Sequence, residues 1–127
     1  MAPTAAEMMR RQVVTVDENS EMGRVEGEMK LQNVHHVCVL DGQKKLVGIV
    51  SRGDVLRARE HGTHQFVRDY MTRRLFTVRP DAPVGAGLAI MIDQDLGAVP
   101  VIDADHHLLG ILVGVDFLRV ALQGLGG

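Results

Sequence analysis

Sliding the sequence along itself by 62 residues aligns its two halves without a gap. Between Met9/Met71 and Ala58/Val120, 16 of the 50 paired positions are identical, where ordinary residue usage would give about four by chance. Thr15/Thr77, Val16/Val78, Gly23/Gly85, Met29/Met91, Val37/Val99, Asp41/Asp103, Gly48/Gly110, Ile49/Ile111 and Asp54/Asp116 are among them. A chain written twice has to build one unit twice. Each half, at roughly 50–60 residues, buries little surface on its own, so the two are expected to pack face to face about a pseudo-two-fold axis.

Each copy reads β-α-β-β-α. A short β run opens it, Val13–Val16 in the first copy and Leu75–Val78 in the second. A polar turn leads into a helix, Asp81-Ala82-Pro83 having good helix-start chemistry. Apolar residues then recur at helical spacing, as Met22, Val25 and Met29 or Val84, Leu88 and Met91. Two strands joined by a turn follow: Val37–Leu40 and Leu46–Val50, then Val99–Ile102 and Leu108–Val113. A last helix begins near Asp54 or Asp116. The expected fold class is α/β (α+β), with repeats at 1–60 and 67–127 and a linker at 61–66. The apolar faces of the last helices (Val55 and Leu56; Phe117, Leu118 and Leu122) are expected to bury surface between the repeats, and a homodimer is expected from the same faces and from Val84 and Leu88.

Composition narrows the function. A formal net charge of −2 argues against the basic stripe that nucleic acid requires. Three Phe, one Tyr and no Trp cannot build a stacking platform for single strands. No apolar run is long enough to span a bilayer, and the first eleven residues lack a signal-peptide layout, so a cytoplasmic location is expected. Cys38, the one cysteine, sits in the run Val37–Leu40 and reads as a small buried hydrophobe rather than a reactive thiol.

Three stretches carry a resemblance: Val67–Thr72, Leu96–Asp103 and Leu46–Asp54. Together, in register at one offset, they resemble a tandem of cystathionine β-synthase (CBS) domains, a Bateman module, from about Thr4 to Gln123. The resemblance implies a regulatory module rather than an enzyme. It also implies an adenosine-containing ligand (AMP, ADP or ATP, S-adenosylmethionine, NAD or a cyclic dinucleotide) in a cleft between the repeats. No cofactor is expected to be required.

Gly48–Asp54 resembles the family's G-h-x-S/T-x-x-D motif. Its chemistry suits a ribose phosphate: a glycine for close approach, a helix N-terminus facing phosphate, Ser51 to donate, and Asp54 to accept from ribose hydroxyls. Ser51-x-x-Asp54 is equally a helix capping box. In the second copy Asp116 persists, but Val113 replaces the serine. The family's adenine-lining strand is intact as Leu96-Gly97-Ala98-Val99-Pro100, although Val99 and Pro100 also suit plain core packing. Its counterpart, Val34-His35-His36-Val37-Cys38, has lost the proline.

In members resembling this chain the motif of one repeat faces the adenine strand of the other. The expected main cleft therefore pairs Ser51, Arg52 and Asp54 with Leu75, Phe76, Gly97, Ala98, Val99, Pro100 and Ile111. A weaker one pairs Asp116 with Val13, Val14, His35, His36 and Ile49, the histidines being either near phosphates or simply half-exposed strand-end residues.

The six histidines invite a metal reading, but no carboxylate or cysteine partner is evident at ligand spacing, and no metal is expected. No nucleophile–base arrangement or Walker loop stands out. Two other classes remain: a dimerising protein-interaction scaffold with vestigial clefts, and a metal or redox sensor. An effector protein is expected but unidentified, with neither nucleic acid nor membrane as a partner.

Overall fold

The duplication in sequence is reproduced, in all but the leading strand of the second copy, by the computed structural model, which describes residues 2–62 and 64–126. The chain runs α1 (Ala5–Met8), β1 (Thr15–Asp17), α2 (Met22–Gln32), β2 (His36–Leu40), β3 (Leu46–Ser51) and α3 (Arg52–Glu60). It continues with α4 (Val67–Tyr70), α5 (Val84–Gln94), β4 (Ala98–Ile102), β5 (Leu108–Val113) and α6 (Gly114–Gly124). Local conformations recur at the same offset. Asn33 and Asp95 end α2 and α5 in the left-handed region, and Lys44 and His106 adopt it in the two hairpin turns. These left-handed residues close the helices as C-caps do. Both hairpins slip register at one place, Val39/Leu40 and Val101/Ile102.

The chain divides into two compact units. One holds residues 13–75 and 105–107, the other 1–12, 76–104 and 108–127. In the 13–75 unit β1 runs parallel to β2, and β2 antiparallel to β3. Its core joins Val16, Met22, Val25, Met29, Val37, Val39, Val50 and Val55 to Val67 and Met71. In the other unit Ala5 joins Val78, Met91, Val99, Val101 and Leu112.

The short leading helices are thus exchanged between the repeats. Met22 N–H donates to Gln65 O (2.8 Å) and Val67 N–H to Ser20 O (2.9 Å), while Val84 N–H donates to Pro3 O (2.9 Å) and Ala5 N–H to Ala82 O (2.8 Å). Each leading segment crosses over a glycine. A Cβ on Gly48 would stand 2.6 Å from Met71 Sδ, and one on Gly110 would stand 2.7 Å from Arg10 O and also clash with Met9 Sδ.

Two expectations need correction. The β run at Leu75–Val78 is not a strand but a single parallel bridge, Val78 to Val101. The reason is Pro100. In the first repeat Cys38 N–H donates to Val14 O (3.0 Å); at the matching position Pro100 has no N–H to give. Second, Leu56, Leu118 and Leu122 are not buried but 51 %, 69 % and 57 % exposed, and α6 has no buried residue. Only Val55 of the expected first-repeat face is in a core, that of its own unit. The helix α3 ends at Glu60. None of the described helices is long and apolar enough to cross a membrane.

Candidate functional site

Ser51 ends β3 with an extended backbone and α3 begins at the next residue, so the free N–H groups of the first turn collect behind its hydroxyl. Asp54 turns back to meet it. Asp54 Oδ2 accepts from Ser51 N–H (2.8 Å) and from the Ser51 hydroxyl (3.1 Å), and Asp54 N–H donates to Ser51 Oγ (3.4 Å). This is a complete capping box. Arg57, one turn on, donates from Nη2 to Asp54 Oδ1 at 2.5 Å. Asp54 is only 3 % exposed, the one buried charged residue among those described. Burial is tolerable here because the carboxylate is both paired and hydrogen-bonded.

Arg52 follows on the surface, and its N–H donates to His35 O (3.1 Å). The two side chains line one groove of about 210 Å³ between α2 and α3, floored by Met29 and Val55. Arg52 and His35, expected in different clefts, therefore share one surface of the 13–75 unit. His36 is half-buried, opposite Ser51 in the β2–β3 ladder. Val14 is half-buried and packs on the core, and Leu75 is half-buried.

In the other unit, Gly97 is exposed just before β4 and accepts from Gly114 N–H (2.9 Å). Ala98, Val99 and Pro100 are all buried, with Val99 wholly inside the core. Ile111, also buried, stands opposite Pro100 in the β4–β5 ladder, and Phe76 is half-buried.

Asp116 occupies the place of Asp54 but is held differently. Val113 cannot cap, and α6 has no side-chain cap at all. Instead Arg10 reaches in from the N-terminal segment, donating from Nε to Oδ2 and from Nη2 to Oδ1, each at 2.7 Å. Arg10 is placed by a pair of backbone bonds with Ile111 (2.9 and 3.0 Å). Arg119 Nη1 lies 3.7 Å from Asp116 Oδ1. The hydrogen bond from Arg10 holds the Asp116 carboxyl below its ordinary value, and the same bond raises the Arg10 guanidinium. The sequence reading missed Arg10. Its signal was a pair of coordinated departures from the repeat: Val113 for Ser51, and Arg10 for Thr72.

The metal expectation needs one correction as well. The turn after β4 carries Asp103 and Asp105 alongside His107, so carboxylates do accompany one of the histidine pairs.

The CBS domain family model matches twice, at residues 5–61 and 67–123. The solved CBS domain pair of protein MJ0100, in complex with 5′-methylthioadenosine and S-adenosylmethionine, is similar at TM-score 0.86 and 25 % identity, covering 94 % of this chain and 96 % of that one. CBSX2 in complex with AMP is similar at TM-score 0.83 and 25 % identity, covering 95 % and 97 %. A homoserine O-acetyltransferase of Methanohalobium evestigatum is 25 % identical over 115 residues, which are 91 % of this chain but 23 % of that enzyme. The chain thus spans about a quarter of that relative's length.

Proposed function

This chain belongs to the CBS domain family as a tandem of two such domains, and from that premise we propose that it is a regulatory module that binds an adenosine-containing ligand. The observation that carries the reading is its likeness, over almost the whole chain, to domain pairs solved with AMP and with S-adenosylmethionine. In this reading Ser51, Arg52 and Asp54 of the 13–75 unit take the ribose and phosphate. Ser51 and Asp54 are already oriented by their mutual bonds, which limits the ordering cost of binding. Arg57 has to give up part of its hold on Asp54 when a ribose hydroxyl arrives.

Regulation requires that the ligand bind two states with different affinity. The exposed apolar side chains of α6, Leu118, Val120 and Leu122 among them, are where a second copy would dock. A dimerising scaffold is the second reading. It is favoured by Val113, which brings no hydroxyl to one half-site, and by Arg10, which occupies the Asp116 carboxylate there.

Calorimetric titration with AMP, ATP, S-adenosylmethionine, NAD and cyclic di-AMP tests the reading, supported by melting curves. A ligand at about 100 times its Kd stabilises the fold by roughly 2.7 kcal/mol, a rise on the order of 10 °C for a domain of this size. Asp54→Ala should remove most of that increment. If no adenosine compound at millimolar concentration binds or shifts the melt, the scaffold reading takes its place.

A further inference from the structure

The two repeats carry the same aspartate and the same following arginine, Asp54 with Arg57 and Asp116 with Arg119. What differs is the third member. Asp54 has the Ser51 cap; Asp116 has Arg10, standing where the other repeat has Thr72. One carboxylate therefore faces two guanidinium groups, an excess of positive charge that its counterpart lacks. Arg10 and Asp116 are each about one-third exposed, at 36 % and 31 % of their side chains, so both can be reached by a solute. The N-terminus of α6 beside them has no side-chain cap.

We propose that Arg10 restricts the half-site of the second repeat to ligands that carry an anionic group next to the ribose. This inference rests on the adenosine-binding reading given above. A bidentate guanidinium covers both oxygens of Asp116, so a ribose diol has to displace it. A neutral nucleoside then leaves Arg10 without a partner. A nucleoside phosphate offers one, because the freed guanidinium moves from the carboxylate to a phosphate oxygen while the backbone pairing with Ile111 keeps its Cα in place. The exchange trades one charged pair for another.

Titration of the whole chain with AMP and with adenosine, in wild type, Arg10→Thr and Arg10→Lys, is the test. The site read is the one that Asp116→Asn weakens. Wild type should bind AMP more tightly than adenosine there by on the order of tenfold or more, the scale of one charged hydrogen bond. Arg10→Thr should weaken AMP and strengthen adenosine, since Asp116 is then uncovered. Arg10→Lys should restore part of the preference for AMP. A merely structural Arg10 would move both ligands in the same direction, and that result, or an unchanged ratio, overturns the inference alone. If neither compound binds the wild type at any site, this inference fails, and the adenosine reading fails with it only when ATP, S-adenosylmethionine, NAD and cyclic di-AMP do not bind either. If binding occurs but Asp116→Asn changes none of it, Asp116 holds no ligand and the inference fails while the reading stands.

Discussion

Ser51 and Asp54 close on each other at the head of α3, the carboxylate accepting from both the N–H and the hydroxyl of the serine. The pair caps the helix whether or not a ligand is present. Ser51→Ala should therefore lower stability without any nucleotide by about 0.5–2 kcal/mol, the usual loss for a removed N-cap. Asp54→Ala should cost more, because it also strips Ser51 N–H and Arg57 of their acceptor in a buried place. Urea denaturation of the three proteins checks the order. Equal stability of wild type and Asp54→Ala would mean that the box adds nothing to the fold.

The glycines under the two leading segments should differ in their tolerance. An alanine at 48 presses on the flexible Met71 side chain, whereas one at 110 presses on the backbone of Arg10 as well as on Met9. A thioether rotates away more readily than a peptide carbonyl moves. Gly110→Ala should cost about 1–3 kcal/mol, as overpacking does, and Gly48→Ala clearly less. Denaturation midpoints that fell equally for both would contradict this.

Acid should erase the Arg10–Asp116 contribution in a defined window. The folded carboxyl lies below its ordinary value near 4 because Arg10 donates to it. Its stabilisation is then complete above the unfolded value and is lost as the pH falls through the folded one. Both groups are part-exposed, so the contribution is small, about 1 kcal/mol or less. The stability difference between wild type and Arg10→Met should stay constant from about pH 5 to 8 and shrink below about pH 4. A difference that persisted unchanged at about pH 2 would rule out the charged pair as its source.

Cys38 should be chemically silent in the native protein. It is fully buried, and burial pushes its thiol up to about 12. Almost no thiolate exists at neutral pH, and no reagent has access to it. Iodoacetamide labelling followed by mass spectrometry should show slow modification in buffer and fast modification in concentrated guanidinium. Rapid native labelling would show that β2 opens locally, and would favour a redox sensor.

The offset of 62 residues already determined the fold class, because identical apolar spacing imposes identical elements. The helix at Met22–Gln32, the hairpin strands and the burial of Cys38 follow from local periodicity and composition. The box at Ser51 and Asp54 was legible too, since capping needs only three residues of separation. The sequence did not disclose which core takes each leading helix. Ala5 and Val67 are apolar residues at matching positions, and the long-range hydrogen bonds place each in its core. The loss of the strand at Leu75–Val78 depended on Pro100, more than 20 residues away, at a ladder position that only strand pairing reveals. Arg10 met Asp116 across 106 residues for the same reason. Local chemistry is written in neighbouring letters, but a charge pair between distant segments exists only after the backbone has brought them within hydrogen-bond reach.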